Sequence, residues 1–125
     1  MVVLRSPYPY ADILGIDTNA ARTMQGVLGV WTGQDVIADG LGAIPWERLP
    51  PASRDAPKSA SPVPGDPAIA QPQRILASSR VLYLGEPVAV VVADTLAQAK
   101  DAAEAVIVDY AERPPIMDVR SAASP

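Results

Sequence analysis

The 125-residue chain carries 10 Lys+Arg against 14 Asp+Glu, a net charge of −4, with 49% hydrophobic and 19% charged residues, which suits one globular domain and not a disordered chain. It has no cysteine and no histidine. That excludes disulfides, thiolate-held iron–sulfur clusters, a Cys nucleophile, an imidazole base or metal ligand, and any Ser-His-Asp triad.

A pI near 4.6 with scattered arginines and lysines argues against nucleic acid, whose phosphates call for clustered positive charge. The longest aliphatic run, residues 88–93, is far short of the ~20 residues a membrane span needs. The N-terminus lacks a basic region followed by a long apolar one, so no secretory signal is read there and the expected location is cytoplasmic.

Val2, Val3 and Leu4 read as a strand, and Pro7 and Pro9 then force extended backbone with two donors missing. Residues 11–16 read as a second strand with Ala11 and Ile13 facing inward. Asp17 or Thr18 is the expected N-cap of a short helix through Gln25, and Gly26 sits where a left-handed residue would end it. Residues 27–32 read as a strand with Val27, Gly29 and Trp31 on one face and Leu28 and Val30 on the other. Residues 34–38 suit one helical turn.

From about 40 to 79 the chain is Pro-rich, with prolines at 45, 50, 51, 57, 62, 64, 67 and 72, and no regular helix or central strand survives that spacing. Its Ile44, Trp46, Leu49, Val63 and Ile69 are more apolar than a free linker requires. Two readings stand: a disordered connection, or a partly ordered arm docked on a neighbouring surface.

Residues 81–84 read as a strand, Gly85-Glu86-Pro87 as a corner, and 88–93 as a strand apolar on both faces, which implies burial between two layers. Thr95 and Gln98 form a capping box. The helix they open runs to about Ala105, with Leu96, Ala99, Ala103 and Val106 on its buried stripe and Lys100, Asp101 and Glu104 outward. A strand follows over 106–110, with Val106, Val108 and Tyr110 on one face. Pro114 and Pro115 end it, and 116–122 forms a tail with one helical turn. The pattern predicts a single α+β (mixed α/β) domain over 1–125, with a mixed sheet, two main helices and the long Pro-rich connection.

Taken together, Arg5-Ser-Pro-Tyr-Pro-Tyr-Ala-Asp-Ile13, Ile16-Asp-Thr18 and Gly26-Val-Leu-Gly-Val-Trp-Thr-Gly33 resemble the opening of the α/β-hammerhead domain of the xanthine dehydrogenase/aldehyde oxidase family. The ungapped string Val81-Leu-Tyr-Leu-Gly-Glu-Pro-Val-Ala-Val-Val-Val-Ala-Asp-Thr-Leu-Ala-Gln-Ala99, then Asp101-Ala-Ala-Glu-Ala-Val106 and Val108-Asp-Tyr110, is more specific still. Tyr8 and Tyr10 stand where the family pattern has histidines. The resemblance implies a hammerhead domain of a molybdenum hydroxylase large subunit, of the aldehyde oxidase, xanthine dehydrogenase or carbon monoxide dehydrogenase type. In that family molybdopterin and the catalytic glutamate belong to later domains, which are not among these residues. The resemblance therefore implies no catalytic, cofactor-binding or metal-binding residue here, and molybdenum-binding domains or a molybdenum-binding subunit as the partner.

Glu86 is the most tempting acid, but it reads as an exposed corner between two strands. Gly40-Leu-Gly42 does not open a dinucleotide fingerprint, because Pro45 stands where the third glycine belongs. Asp35 and Asp39 share a helix face but are too few for a hard-metal site. Arg5, Tyr8, Tyr10, Trp46, Gly85, Glu86 and Pro87 are instead the candidate interface residues, aromatic, arginine and proline groups being suited to anchoring a partner. The alternative for the two tyrosines is packing on the local core. A rival reading of the chain is a free-standing protein-binding module of barrel-sandwich-like fold. Its carrier version fails, since it needs a lysine at a hairpin tip, whereas Lys58 lies in the Pro-rich stretch and Lys100 mid-helix. A homo-oligomer is a further expectation, because a domain parted from its partners exposes apolar surface.

Overall fold

In the computed structural model of the chain, residues 1–44 and 73–122 are described. Ten elements follow in order: β1 (Val2–Arg5), β2 (Ala11–Asp17), α1 (Asn19–Arg22), β3 (Val27–Thr32), α2 (Gly33–Ala38), β4 (Arg80–Val81), β5 (Pro87–Ala93), α3 (Leu96–Glu104), β6 (Ile107–Glu112) and α4 (Val119–Ala122). The strands make two three-stranded sheets, β1-β5-β3 and β4-β2-β6, in which every pairing is antiparallel. The α/β character expected of the sequence holds. The single mixed sheet gives way to two antiparallel ones, because consecutive strands pair with distant partners and each sheet is completed across the chain.

The centre of the first sheet is β5, as its β-branched run demands. Pairing slips between Leu4 and Arg5, from Leu4 opposite Ala89 to Arg5 opposite Pro87. This bulge turns both Val88 and Ala89 inward, and both are fully buried. On the inner face Val30 and Val91 meet Ala99, Ala102 and Ala103 of α3 and Ala21 of α1. Alanine has almost no side chain to hold the helix off, so α3 approaches the sheet closely. The buried stripe keeps the expected Ala99, Ala103 and Val106 but takes in Ala102 and leaves Leu96 58% exposed. A second cluster, Ala11, Ala77, Val81 and Val88, joins the two sheets.

The helix ends follow local chemistry. Thr95 Oγ1 accepts the Gln98 N–H at 3.2 Å while Gln98 Oε1 accepts the Thr95 N–H at 3.1 Å, closing the expected capping box. The Asp35 carboxylate accepts both the backbone N–H and the hydroxyl of Thr32 at 2.7 Å, tying down the start of α2. Those two bonds, the hydroxyl's first, hold Asp35 below the usual carboxylate range. Helix α1 stops at Arg22, short of the expected Gln25, where the Thr23 hydroxyl donates to the Ala20 carbonyl at 2.9 Å and turns the chain out. Gly26 then takes φ +81°. A Cβ there would also stand 2.4 Å from the Gln98 carboxamide, so the turn and the cap of α3 close over the same glycine.

Strand β6 starts one residue later and ends two residues later than the expected 106–110, and two larger boundaries differ on either side of β4. The Pro-rich connection was expected to extend to 79, yet Leu76, Ala77 and Ser78 are buried, and the Ala77 N–H donates to the Pro87 carbonyl at 2.8 Å. The expected strand over 81–84 is only Arg80–Val81. Leu82, Tyr83 and Leu84 form an exposed turn instead, for a reason that lies in the next residues.

Candidate functional site

The turn closes on Gly85 at φ +83°, a conformation that side chains resist. The Leu82 N–H, which a strand would have paired, donates to Glu86 Oε2 at 2.5 Å, and the Glu86 N–H donates to the Tyr83 carbonyl at 3.2 Å. Glu86 is therefore not an exposed corner: it is 8% exposed, and its carboxylate replaces a lost ladder bond.

Strand β1 locks this corner in place. The Ser6 N–H donates to the Glu86 carbonyl, the Gly85 N–H donates to the Ser6 carbonyl, and Arg5 Nη1 donates to the Gly85 carbonyl, each at 2.9 Å. Pro87 lies opposite Arg5 in the sheet register. Arg5, Gly85, Glu86 and Pro87 thus come together as one corner, though they lie eighty residues apart in sequence. Ser6, which the sequence reading did not single out, is buried beneath it. Its Oγ accepts the Tyr8 N–H at 3.0 Å and donates to the Tyr8 carbonyl at 3.1 Å, folding the Pro7–Pro9 stretch over.

The tyrosines divide. The Tyr8 ring packs on the second core cluster, tilted 55° to the Tyr110 ring with centroids 5.1 Å apart. Burial pushes the Tyr110 phenol above its ordinary value, with a Ser6 side-chain hydrogen bond acting the other way. Tyr8 is accordingly a packing residue. Tyr10 faces a charged cluster instead: the Arg80 guanidinium lies 5.6 Å from its ring centre. Arg80 Nε also donates to Asp12 Oδ1 at 2.6 Å, and Arg113 Nε donates to Asp12 Oδ2. The Arg80 hydrogen bond, first of all, holds Asp12 below the ordinary carboxylate range; burial opposes it, and Arg113 adds to it. Alternation along β2 could have placed Asp12 outward, but nothing in the sequence marked its two distant arginines. Trp46 lies outside the described residues.

Two hollows flank the corner. One, of about 630 Å³, lies between Asp12, Arg74, Arg80, Leu82, Tyr83 and Glu86 and so mixes charged and apolar lining. The other, of about 530 Å³, is an open apolar groove formed by Tyr10, Leu82, Tyr83, Leu84, Ile116 and Met117. Leu84 is 67% and Met117 81% exposed, so this groove presents large apolar side chains to solvent. Among the described residues no three His, Cys, Asp or Glu side chains converge on a point that could hold a metal. Of the arginines around the two hollows, Arg80 and Arg113 each donate Nε to Asp12, Arg74 donates Nη1 to the Ser78 hydroxyl at 2.5 Å, and Arg5 donates to the Gly85 carbonyl. No described helix is long and apolar enough to cross a membrane.

The hammerhead arrangement of two small sheets with α3 against one of them defines an α/β domain class, and comparison with known sequences places it further. The family described as aldehyde oxidase and xanthine dehydrogenase, a/b hammerhead domain, matches residues 52–114. The chain belongs to that family. The large subunit of nicotine 6-hydroxylase from Paenarthrobacter nicotinovorans is 36% identical over 117 residues, covering 94% of this chain and 12% of that protein. Among solved structures, CO dehydrogenase from Oligotropha carboxidovorans superposes with a TM-score of 0.76 at 30% identity, over 99% of this chain and 13% of its own. Quinoline 2-oxidoreductase from Pseudomonas putida 86 gives 0.72 at 32% identity, over 98% of this chain and 14% of its own. The chain thus spans about an eighth of the relatives it resembles.

Proposed function

We propose that this chain is a structural and docking domain of a cytoplasmic molybdenum hydroxylase of the aldehyde oxidase, xanthine dehydrogenase or carbon monoxide dehydrogenase type. It braces the molybdenum-binding domains and has no catalytic residue of its own. The observation that carries the reading is the open groove of Tyr10, Leu82, Tyr83, Leu84, Ile116 and Met117 beside a corner tied down by five hydrogen bonds among residues 5, 6, 82, 83, 85 and 86. A rigid corner that lifts large apolar side chains into solvent is suited to a partner's surface and not to acid–base work. The carboxylates nearby support this: Asp12 is held ionised by two arginines and Glu86 is spent on a backbone N–H. Molybdopterin would be held by the partner, and turnover would occur there.

The test is a graft. This chain replaces the matching 117 residues of the nicotine 6-hydroxylase large subunit, and molybdenum content is measured in the purified product. A grafted enzyme that retains molybdenum, together with an isolated chain that contains none, is the expected result. Stoichiometric molybdenum in the isolated chain, or a graft that never assembles, overturns the reading.

A further inference from the structure

The sheet β1-β5-β3 turns one face to α3 and has no described partner on the other. Val3 and Trp31 lie directly across from Val90, one on each side of the central strand, and Gly29 lies across from Val92. Residues opposite each other in an antiparallel pair share a face. The neighbouring row, Val2, Val91 and Val30, is on the inner face against α3. Val3, Val90, Val92 and Trp31 therefore share the outer face, and none of them belongs to either core cluster.

This face is shaped as well as apolar. Trp31 is 42% exposed, and its indole lies along the strand over Gly29, where a Cβ would stand 2.3 Å from indole Cη2. Any other residue at position 29 would lift the ring, so the absent side chain lets tryptophan and three valines form one continuous floor. An antiparallel sheet with a solvated face alternates apolar and polar residues, whereas β5 is apolar on both sides.

We propose that this outer face seats polypeptide of the large subunit lying beyond this domain, received through an uncharged aliphatic surface. The inference rests on the domain reading above. Two observations select that occupant over a second copy of the chain. The relatives carry seven to eight times the length matched here, so ample polypeptide lies outside this domain. The face itself is small: three strands about 4.8 Å apart and about five residues long at about 3.4 Å each span roughly 14 by 17 Å. That is well below the ~800 Å² per partner of a stable interface between separate proteins. A surface on the same polypeptide is presented at a millimolar effective concentration and does not need that area. The width suits one α-helix, about 10–12 Å across, which would mirror α3 on the inner face.

Val90→Lys tests it, in the free 125-residue chain and in the nicotine 6-hydroxylase graft. In the free chain at micromolar concentration, the variant is expected to remain monomeric and to melt within about 3 °C of the parent. In the graft it is expected to lower the yield of assembled, molybdenum-containing enzyme at least tenfold, while the isosteric Val90→Thr retains most of it. A Val90→Lys graft that assembles as well as the parent overturns the inference and leaves the domain reading standing. Unfolding of the free Val90→Lys chain overturns it too, because the face would then be covered by this chain itself. So does a free-chain dimer that Val90→Lys abolishes. If the unsubstituted graft fails, both readings fall together.

Discussion

Glu86 and Gly26 each carry two constraints at once, and substitutions can separate them. Glu86 is buried, and its carboxylate oxygen accepts the Leu82 N–H. If that acceptor is what matters, Glu86→Gln, which keeps an oxygen in place, should leave the chain nearly as stable as before. Glu86→Ala strands a backbone donor and should cost about 1–3 kcal/mol by urea denaturation. Equal losses in the two variants would show that the charge, and not the hydrogen bond, holds the turn. Gly26 combines a positive φ with the close approach of Gln98. Gly26→Ala should cost about 1–2 kcal/mol from the left-handed backbone alone, with more if the α3 cap is displaced. Gly15, where an added Cβ meets nothing within 4 Å, is the control, and Gly15→Ala should be close to neutral.

At the level of elements, the sequence was legible where a local signal and the tertiary context agreed. Strand β3 runs over Val27–Thr32 as read, although a bulge between Val27 and Gly29 sets Val27 on the core side with Val30 and leaves Leu28 exposed, and α3 begins at its Thr95–Gln98 box. Thr95→Ala should therefore cost about 1 kcal/mol, read as a lower melting temperature with the sheet signal in circular dichroism retained. The misreadings have physical causes. Leu82, Tyr83 and Leu84 look like a strand by composition, but a buried glutamate four residues on captures the first N–H, and that capture is a side-chain event no alternation pattern reports. Leu76 and Ala77 sit next to a proline-dense stretch and read as its end, while their burial is set by β5, ten residues later. The α3 stripe holds at Ala99, Ala103 and Val106 and fails only at Leu96, because burial on this helix goes to the residues small enough to touch the sheet, Ala102 among them. Of the candidate interface, the Arg5–Gly85–Glu86–Pro87 corner is assembled as a unit, Tyr8 turns to the core, and the Asp12 arginines come from β4 and from just beyond β6, which only the fold brings together.

For the molecule as a whole, two expectations follow from edges and charge. Among the described residues β1 is the outermost strand of its sheet, so a homo-oligomer through its edge is proposed at millimolar concentration. A single monomeric species in sedimentation up to that range would refute it. The pH dependence of stability is more tightly determined. Asp12, Asp35 and Asp118 all have folded pKa values below the unfolded carboxylate value, through Arg80, through Thr32 and through the Ser121 hydroxyl respectively. A depressed carboxylate adds stability that is fully present above the unfolded pKa of about 3.9 and is lost as pH falls through the lower folded value. Acid should therefore destabilise the chain mainly below about pH 4. Tyr110 has the opposite sense: its folded pKa is raised, so its contribution is present below about pH 10 and disappears as pH climbs through the folded value. With no histidine in the sequence, no side chain with an unperturbed pKa between those limits is available to change charge. The melting temperature should thus be flat from about pH 5 to about pH 9 and fall on both sides. Asp12→Asn should lower the plateau and soften the acid limb, because the ion pairs it removes exist only while Asp12 is charged. A melting curve that slopes steeply across pH 5–8 would mean that some other group titrates on unfolding, and would overturn this account.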